Sequence, residues 1–258
     1  MPFTLAHPIA AAPIWLGSKR RLDLPSLFVG SIIPDIEYFL TLQPNRTIGH
    51  TLLGVLIQGL PCSIVLLLVT RYVLMYPFLA LLPRQLGQRF PTLRSYFPLQ
   101  GKHLFNVVAS VVIGAASHLV WDDFTHWDGW FVTHSKLLQY QLGSVPIYQL
   151  LQYGCGVIGV FALFLWLSIW LNQAKSFNRI ETLAPRWRAL TIICIVLCAF
   201  VWTWFAVDIH HIAGETFIEA FVRAVLGCIS GLFLGLLLYS AVFWMLKSFK
   251  PLKIKMFG

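Results

Sequence analysis

One short stretch of the sequence, Ser117 to Gly129, concentrates residues that can bind metals or transfer protons. It reads SHLVWDDFTHWDG and contains three acidic residues and two histidines, although the 258-residue chain has only ten acidic residues and eight histidines in total. In a helix that continues through this stretch, His118, Asp122 and His126 are spaced four residues apart and lie close to one face. Imidazole and carboxylate groups at this spacing are suited to Zn²⁺ and other divalent ions.

The same stretch also fits a purely structural interpretation. Trp121, Trp127 and Trp130 flank the polar residues, and such aromatic side chains form belts at the headgroup level of membrane proteins. On spacing alone, a metal site and a polar interfacial cap are equally good interpretations. Asp123 points about a third of a turn away from its neighbour Asp122. There it would accept a hydrogen bond from a ligand histidine or bind a second ion.

Three other polar groups precede this stretch along the chain. The segment GSIIPDIEYF places Asp35 and Glu37 in an apolar setting, where an unpaired carboxylate is costly and requires a cation or a hydrogen-bond donor. The segment RTIGHTLLG places His50 near Arg46, just before an apolar run. His7, in TLAHPIAAAP, precedes a proline and has the alternative role of capping a helix.

The composition requires that membrane-spanning helices position these residues. The chain is 58% hydrophobic and only 11% charged, with a mean hydropathy of +0.74. Five apolar runs reach or approach the roughly 20 residues that cross a bilayer as helix: about 51–75, 104–121, 147–171, 189–207 and 218–246. Because they are continuous and not alternating, they predict an all-α polytopic bundle and not a barrel. Residues 4–17 and 22–42 predict one or two further short or broken membrane segments.

Positive charges in the loops predict the orientation of the five helices. Lysines and arginines cluster at 76–102, at 172–188 and in the C-terminal tail, which places these parts on the cytoplasmic side. The loops at 122–146 and 208–217 have almost no positive charge, so we expect them outside, together with the ends of the helices that carry His50, His118 and Asp122. The net charge of +9 is spread over separate loops and does not indicate nucleic-acid binding.

Four segments carry a resemblance to a known family: MPFTLAHPIAAAPI, LFVGSIIPDIEYFL, RTIGHTLLG and GAASHLVWDDFTHWDGWF. In this order they resemble a bacterial membrane-protein family known as domain-of-unknown-function family 4184. The chain is also distantly similar to the predicted membrane-bound metal-dependent hydrolases. Their pattern of a histidine, a glycine followed by Pro-Asp, a His-Ser/Thr pair and a His-x-x-x-Asp matches His7, Pro34-Asp35, His50-Thr51 and His118-x-x-x-Asp122 here. The last pair is further similar to zinc-binding pairs in zinc-dependent phospholipases C.

The residues and the resemblance lead to two functional hypotheses. In the first, the protein is a membrane-embedded metal-dependent hydrolase at the outer face of a bacterial inner membrane, acting on a lipid or another ester or phosphoester. The predicted ligands of one or two divalent ions, with Zn²⁺ the best candidate, are His7, Asp35, His50, His118 and Asp122. Glu37, Asp123 or His126 would act as general base or orient a ligand. In the second, the protein is a non-enzymatic carrier, channel or scaffold whose polar cluster is structural.

The remaining features concern domain organisation and partners. We predict a single membrane domain over 1–258, with the site in 1–135 and supporting helices in 136–258, because Glu219 and Arg223 are the only charged residues within the last three apolar runs. Gly227, Gly231 and Gly235 have the spacing of a close-packing face, either within the chain or in a dimer. Membrane lipid is the expected partner, and a lipid-like molecule is the expected substrate.

Overall fold

The computed structural model of the protein describes residues 4–44, 48–90, 101–174, 181–209 and 216–248. These residues are almost entirely helical, which confirms the predicted all-α fold class. Among them are five stretches long and apolar enough to cross a membrane, one for each predicted run. They are Leu52–Leu81, Lys102–His134, Ile147–Gln173, Pro185–Asp208 and Phe217–Ser248.

The described residues form the following elements in chain order. The α-helices before residue 100 are α1 His7–Gly17, α2 Leu24–Ile32, α3 Ile36–Thr41, α4 Leu52–Gly54, α5 Leu60–Leu68, α6 Met75–Leu81 and α7 Arg84–Gly87. Then come α8 Lys102–Thr125, α9 Trp130–His134, α10 Lys136–Gln139, the strands β1 Gln141–Leu142 and β2 Val145–Pro146, and α11 Ile147–Gln173, α12 Pro185–Ile209 and α13 Phe217–Ser248. Three 3₁₀ turns cover Thr4–Ala6, Ile33–Asp35 and Ile48–His50, and π-helical turns cover Val55–Gly59 and Val69–Leu74.

The chain divides into two compact units. The first comprises Met1–Ile36, Arg46–Leu67 and Pro98–Asn172, and the second comprises Glu37–Asn45, Leu68–Phe97 and Gln173–Gly258. All five predicted metal ligands belong to the first unit, whereas Glu37 belongs to the second. Arg46 and half of the basic residues that predict the orientation, at 91–100, 175–180 and 249–258, lie outside the described residues.

The N-terminal segments are short or broken, as the sequence predicts. Helix α1 has only 11 residues. The next segment is interrupted because Pro34 lies in the 3₁₀ turn between α2 and α3. Helix α2 begins after Asp23, whose carboxylate accepts a hydrogen bond from the backbone N–H of Ser26 and so satisfies one of the unpaired donors of the first turn. The 3₁₀ turn ends at Asp35, a predicted ligand.

Helices α2 and α8 of the first unit cross with their backbones in contact. A Cβ atom on Gly30 would lie 2.2 Å from the carbonyl oxygen of Val111, and one on Gly114 would lie 2.2 Å from the carbonyl oxygen of Leu27. Glycine is therefore required at both positions, because any side chain would force the helices apart. Gly114 is one turn before His118 on α8, so this crossing positions a predicted ligand.

Helices α12 and α13 of the second unit pack through the predicted small-residue face. A Cβ atom on Gly231 would lie 2.7 Å from the Cα atom of Ala199, and one on Gly227 would lie 2.7 Å from the Cβ atom of Ala206. Gly235 approaches Ile195 in the same manner. The glycine face is therefore used for packing within the chain.

Candidate metal centre

Five side chains from four separate segments meet in the first unit. His7 is the first residue of α1, Asp35 ends the 3₁₀ turn after α2, His50 ends the 3₁₀ turn before α4, and His118 and Asp122 lie one turn apart on α8. We call these five side chains the His/Asp cluster. Two overlapping groups within it could hold a metal ion: His7 with Asp35 and His118, and His50 with His118 and Asp122.

The distances within the cluster match those between ligands of a single ion. The Nε2 atom of His50 lies 3.1 Å from Asp35 Oδ1 and 3.6 Å from Asp122 Oδ2. The Nε2 atom of His118 lies 3.6 Å and 3.4 Å from the same two oxygens. Ligands that surround Zn²⁺ tetrahedrally at their usual bond lengths are about 3.3–3.4 Å apart. Each of the two histidine nitrogens therefore lies at about one ligand-to-ligand distance from both carboxylate oxygens.

His118 is held with one ring nitrogen directed into the cluster. Its Nδ1–H donates a 2.8 Å hydrogen bond to the backbone carbonyl of Ser31, and its ring is fully buried. Its Nε2 atom has no hydrogen-bond partner among the described residues. Metal-binding histidines commonly donate their second N–H to a carbonyl or carboxylate in this way, which fixes the tautomer. His118 belongs to both metal-capable groups.

His7 is buried and offers an uncharged ring. It stacks on His118 with the ring centroids 3.8 Å apart, and its Nε2 atom lies 3.8 Å from Asp122 Oδ1. The ring is only 4% exposed, and burial of this kind disfavours a charged imidazole. Neither ring nitrogen has a hydrogen-bond partner in the described chain. The capping alternative does not hold, because Ala6 is the N-cap residue and no side chain caps the helix.

Asp35 is oriented by two neighbours. Its Oδ2 atom accepts a 2.5 Å hydrogen bond from the hydroxyl of Thr4, and its Oδ1 atom lies within hydrogen-bonding distance of His50. The sequence analysis did not identify Thr4, because a single hydroxyl near the chain start has no distinctive pattern.

His50 is positioned by a tight turn. Thr51 is the N-cap residue of α4, and its hydroxyl accepts a hydrogen bond from the backbone N–H of Gly54. A Cβ atom on Gly54 would lie 1.7 Å from the carbonyl oxygen of Ile48. The motif IGHTLLG therefore folds the chain back on itself immediately around His50.

His126 adjoins the cluster, but by a different route from the one that the sequence predicts. Helix α8 ends at Thr125 and His126 has an extended backbone, so the expectation of a continuous helix with i, i+4 and i+8 spacing is wrong. The Nδ1–H of His126 instead donates a 3.1 Å hydrogen bond to the backbone carbonyl of Asp122, and Nδ1 lies 3.4 Å from Asp122 Oδ1. Its Nε2 atom lies 3.2 Å from the side-chain amide nitrogen of Gln152.

Gln152 is a site residue that the sequence analysis missed. It lies on α11 and is 6% exposed. This helix was expected only to support the site, because it contains no charged residue. The signal that could have identified Gln152 is a buried amide in an apolar helix, since such a group requires a polar partner.

The other two predicted catalytic residues are not among the groups that could hold a metal within the described residues. The Asp123 carboxylate accepts a 3.4 Å hydrogen bond from the backbone N–H of Trp130. This closes the loop after α8, where a Cβ atom on Gly129 would lie 2.3 Å from the Asp123 carbonyl oxygen. Asp123 therefore has a contact within the loop, and its role as general base or orienting residue stays a prediction. Glu37 lies in the first turn of α3, in the second unit.

The comparison with protein families covers nearly the whole chain. The family model described as "Domain of unknown function (DUF4184)" matches residues 1–241. The protein belongs to this family. No curated protein and no solved structure matches the chain. The matched range of the DUF4184 model includes every residue of the His/Asp cluster, together with His126 and Gln152.

The chemistry of this DUF4184 site follows from its charge and its burial. The cluster contains two carboxylates and three imidazoles, and its side chains are 0–8% exposed. Two buried carboxylates repel each other unless a cation or donors balance them, and a divalent ion would balance both charges. The His126 side chain is 13% exposed, more than any of the five, so it lies nearest the outside of the cluster.

Proposed function

We propose that the protein is a membrane-embedded, metal-dependent hydrolase that acts on a lipid or on another ester or phosphoester. The observation that carries this proposal is the set of buried ring nitrogens without hydrogen-bond partners in the described chain. Both nitrogens of His7 and Nε2 of His118 are of this kind. Buried polar atoms are normally paired, and a metal ion would be the partner of one nitrogen from each ring.

The donor set supports Zn²⁺ as the ion. Imidazole nitrogens together with carboxylate oxygens suit zinc, whereas magnesium and calcium favour oxygen ligands. When bound, such an ion supplies Lewis-acid chemistry: it acidifies water and polarises a carbonyl or phosphoryl oxygen. We propose one ion, held by His50, His118, Asp35 and Asp122, with His7 as a further ligand.

His126 is the proposed general base. Its Nδ1–H is donated to the carbonyl of Asp122, so Nε2 is the basic nitrogen of the ring, and it would exchange the hydrogen bond that it accepts from Gln152 for the proton of the attacking water. The amide of Gln152 lies 3.2 Å from this nitrogen and restrains the ring. Gln152 is therefore a positioning residue. We further propose that the site faces the outer side of a bacterial inner membrane and that the C-terminus is cytoplasmic, as the distribution of basic loops favours.

The test of this function is hydrolysis by the detergent-purified protein. We expect it to release products, detected by mass spectrometry, from phosphatidylglycerol and phosphatidylethanolamine in mixed micelles or from a soluble nitrophenyl ester. A chelator should abolish release, and added Zn²⁺ should restore it. His126→Ala should lower the rate by about 100-fold or more, as expected for loss of a general base.

The matched control for His126→Ala is His134→Ala. His134 is exposed, and its Nδ1–H donates to the backbone carbonyl of Trp130, so this variant should retain the wild-type rate. The hydrolase proposal is contradicted if the zinc-loaded wild-type protein releases no more product than a protein-free sample from every one of these substrates. The polar cluster would then have an ion-binding or structural role.

A further inference from the structure

An apolar groove adjoins the His/Asp cluster in the first unit. It has a volume of about 250 Å³ and lies between the beginning of α1, Trp121 of α8 and the Cys155–Ala162 segment of α11. His7 is part of its lining, and the same ring stacks on His118 within the cluster. The groove therefore leads directly to the proposed metal centre.

Small residues on α11 shape this groove. A Cβ atom on Gly159 would lie 2.9 Å from the Cβ atom of Ala6, so α1 and α11 touch at this position. Gly156 and Ala162, one turn to either side along α11, also line the groove. Because their side chains are absent or small, space remains between the two helices where larger residues would fill it.

The groove opens on the lipid-facing side of α11. Ile158 lines the groove and is nevertheless 68% exposed. Its neighbours Val157 and Phe161 are 68% and 66% exposed. Helix α11 is long and apolar enough to cross a membrane, so an exposed apolar face of this kind contacts lipid tails. An occupant can therefore enter sideways from the bilayer.

We propose that this groove holds one acyl chain of a membrane lipid and thereby places the polar end of that lipid at the metal centre. The inference rests on the proposed function, because it names the substrate class for the same site. The lining offers few polar atoms besides the His7 ring, the Cys155 thiol and the Trp121 indole N–H. A peptide or sugar in the groove would leave its hydrogen-bonding groups unsatisfied, whereas an acyl chain has none to satisfy.

Photo-crosslinking tests whether the groove holds an acyl chain, and it does not require the protein to hydrolyse the lipid. The wild-type protein in lipid nanodiscs would be exposed to phosphatidylglycerol with a diazirine in one acyl chain, and the labelled residues would be mapped by mass spectrometry. We expect labels on the groove residues around Ala10 and Gly156. Ala162→Phe should fill the groove and lower this labelling by about tenfold or more. Val157→Phe, which adds the same ring to the exposed face of α11, should leave it unchanged.

Protection of Cys155 provides a second measurement on the wild-type protein. Cys155 is a free, half-buried thiol in the groove, and Cys194 is a free, exposed thiol on α12. We expect non-photoreactive phosphatidylglycerol to slow the alkylation of Cys155 by a maleimide but not that of Cys194. Two results together would overturn the inference. The first is labelling that is confined to exposed residues such as Phe161 and is equally strong in the wild type and in Ala162→Phe. The second is a rate of Cys155 alkylation that phosphatidylglycerol does not change.

The acyl-chain inference and the hydrolase proposal can be disproved independently of each other. Asp122→Asn should abolish product release but retain the labels in the groove, because the chain contacts do not involve this carboxylate. Absence of product release from the wild-type protein with intact groove labelling would count against the proposed function alone. Product release from phospholipids without groove labelling would overturn the acyl-chain inference alone.

Discussion

Replacing Asp122 by asparagine is expected to lower the affinity for Zn²⁺ by more than about 100-fold. Removing a residue that only hydrogen-bonds to a metal ligand already lowers metal affinity by about 10–100-fold, and Asp122 is a proposed ligand itself. Asp122 is the carboxylate on which the cluster is centred. Its oxygens lie 3.4 Å from His118, 3.6 Å from His50, 3.8 Å from His7 and 3.4 Å from His126. Asparagine has nearly the same shape, so the loss would follow from the missing charge and ligand oxygen and not from altered packing.

The matched control for this substitution is Asp123→Asn on the same helix. The amide of asparagine retains an oxygen that can accept the hydrogen bond from Trp130, so this variant should bind zinc as the wild type does. Competition with a chromophoric chelator measures both affinities. Equal affinities in Asp122→Asn and the wild type would show that the ion, if bound, is held elsewhere.

Replacing Gly114 by alanine is expected to destabilise the protein and to impair the metal centre at the same time. A glycine-to-alanine substitution inside a helix normally stabilises the folded protein by about 0.5–1 kcal/mol. At Gly114, however, the added methyl group would lie 2.2 Å from the carbonyl oxygen of Leu27, so α2 must move away from α8. Overpacking of this kind costs about 1–3 kcal/mol. The same movement would break the hydrogen bond between Ser31 and His118.

Gly154→Ala provides the control for this backbone clash. A Cβ atom on Gly154 of α11 would have no atom within 4 Å, so this variant should be as stable as the wild type or slightly more stable. Thermal unfolding in detergent measures stability, and chelator competition measures zinc affinity, which should fall by about 10–100-fold in Gly114→Ala. If Gly114→Ala behaves like Gly154→Ala in both assays, the close crossing of α2 and α8 does not position His118.

Much of the fold could be predicted from the sequence because a bilayer restricts the choices. A continuous apolar run of about 20 residues can cross a bilayer only as a helix. Each of the five runs forms a helix that is long and apolar enough to do so. The break near Pro34 was also predictable, because an apolar segment that contains Pro-Asp cannot continue as an ordinary lipid-facing helix. The pair His118 and Asp122 was recognisable for a similar reason, since i and i+4 positions share a helix face in any context.

The surroundings of these residues could not be predicted, because they depend on contacts between distant segments. The carbonyl of Ser31 orients His118, yet a backbone group has no sequence signal. Thr4 is a single hydroxyl without a distinctive pattern, and Gln152 is distinguished only as an uncharged amide within an apolar helix. His126 reaches the cluster only because α8 ends one residue earlier. A search of the sequence for histidines and carboxylates in apolar surroundings therefore finds the five side chains of the His/Asp cluster. It misses the uncharged groups that orient them.

X-ray absorption at the zinc edge of the purified protein tests the metal centre most directly. The spectrum should show one zinc per chain, bound only by nitrogen and oxygen at about 2.0–2.1 Å, with the outer scattering of two or more imidazoles. Sulfur neighbours at about 2.3 Å would assign the zinc to cysteines instead. A protein that binds no divalent ion at all, in competition assays with zinc, would contradict the convergence of His7, Asp35, His50, His118 and Asp122 on one cation.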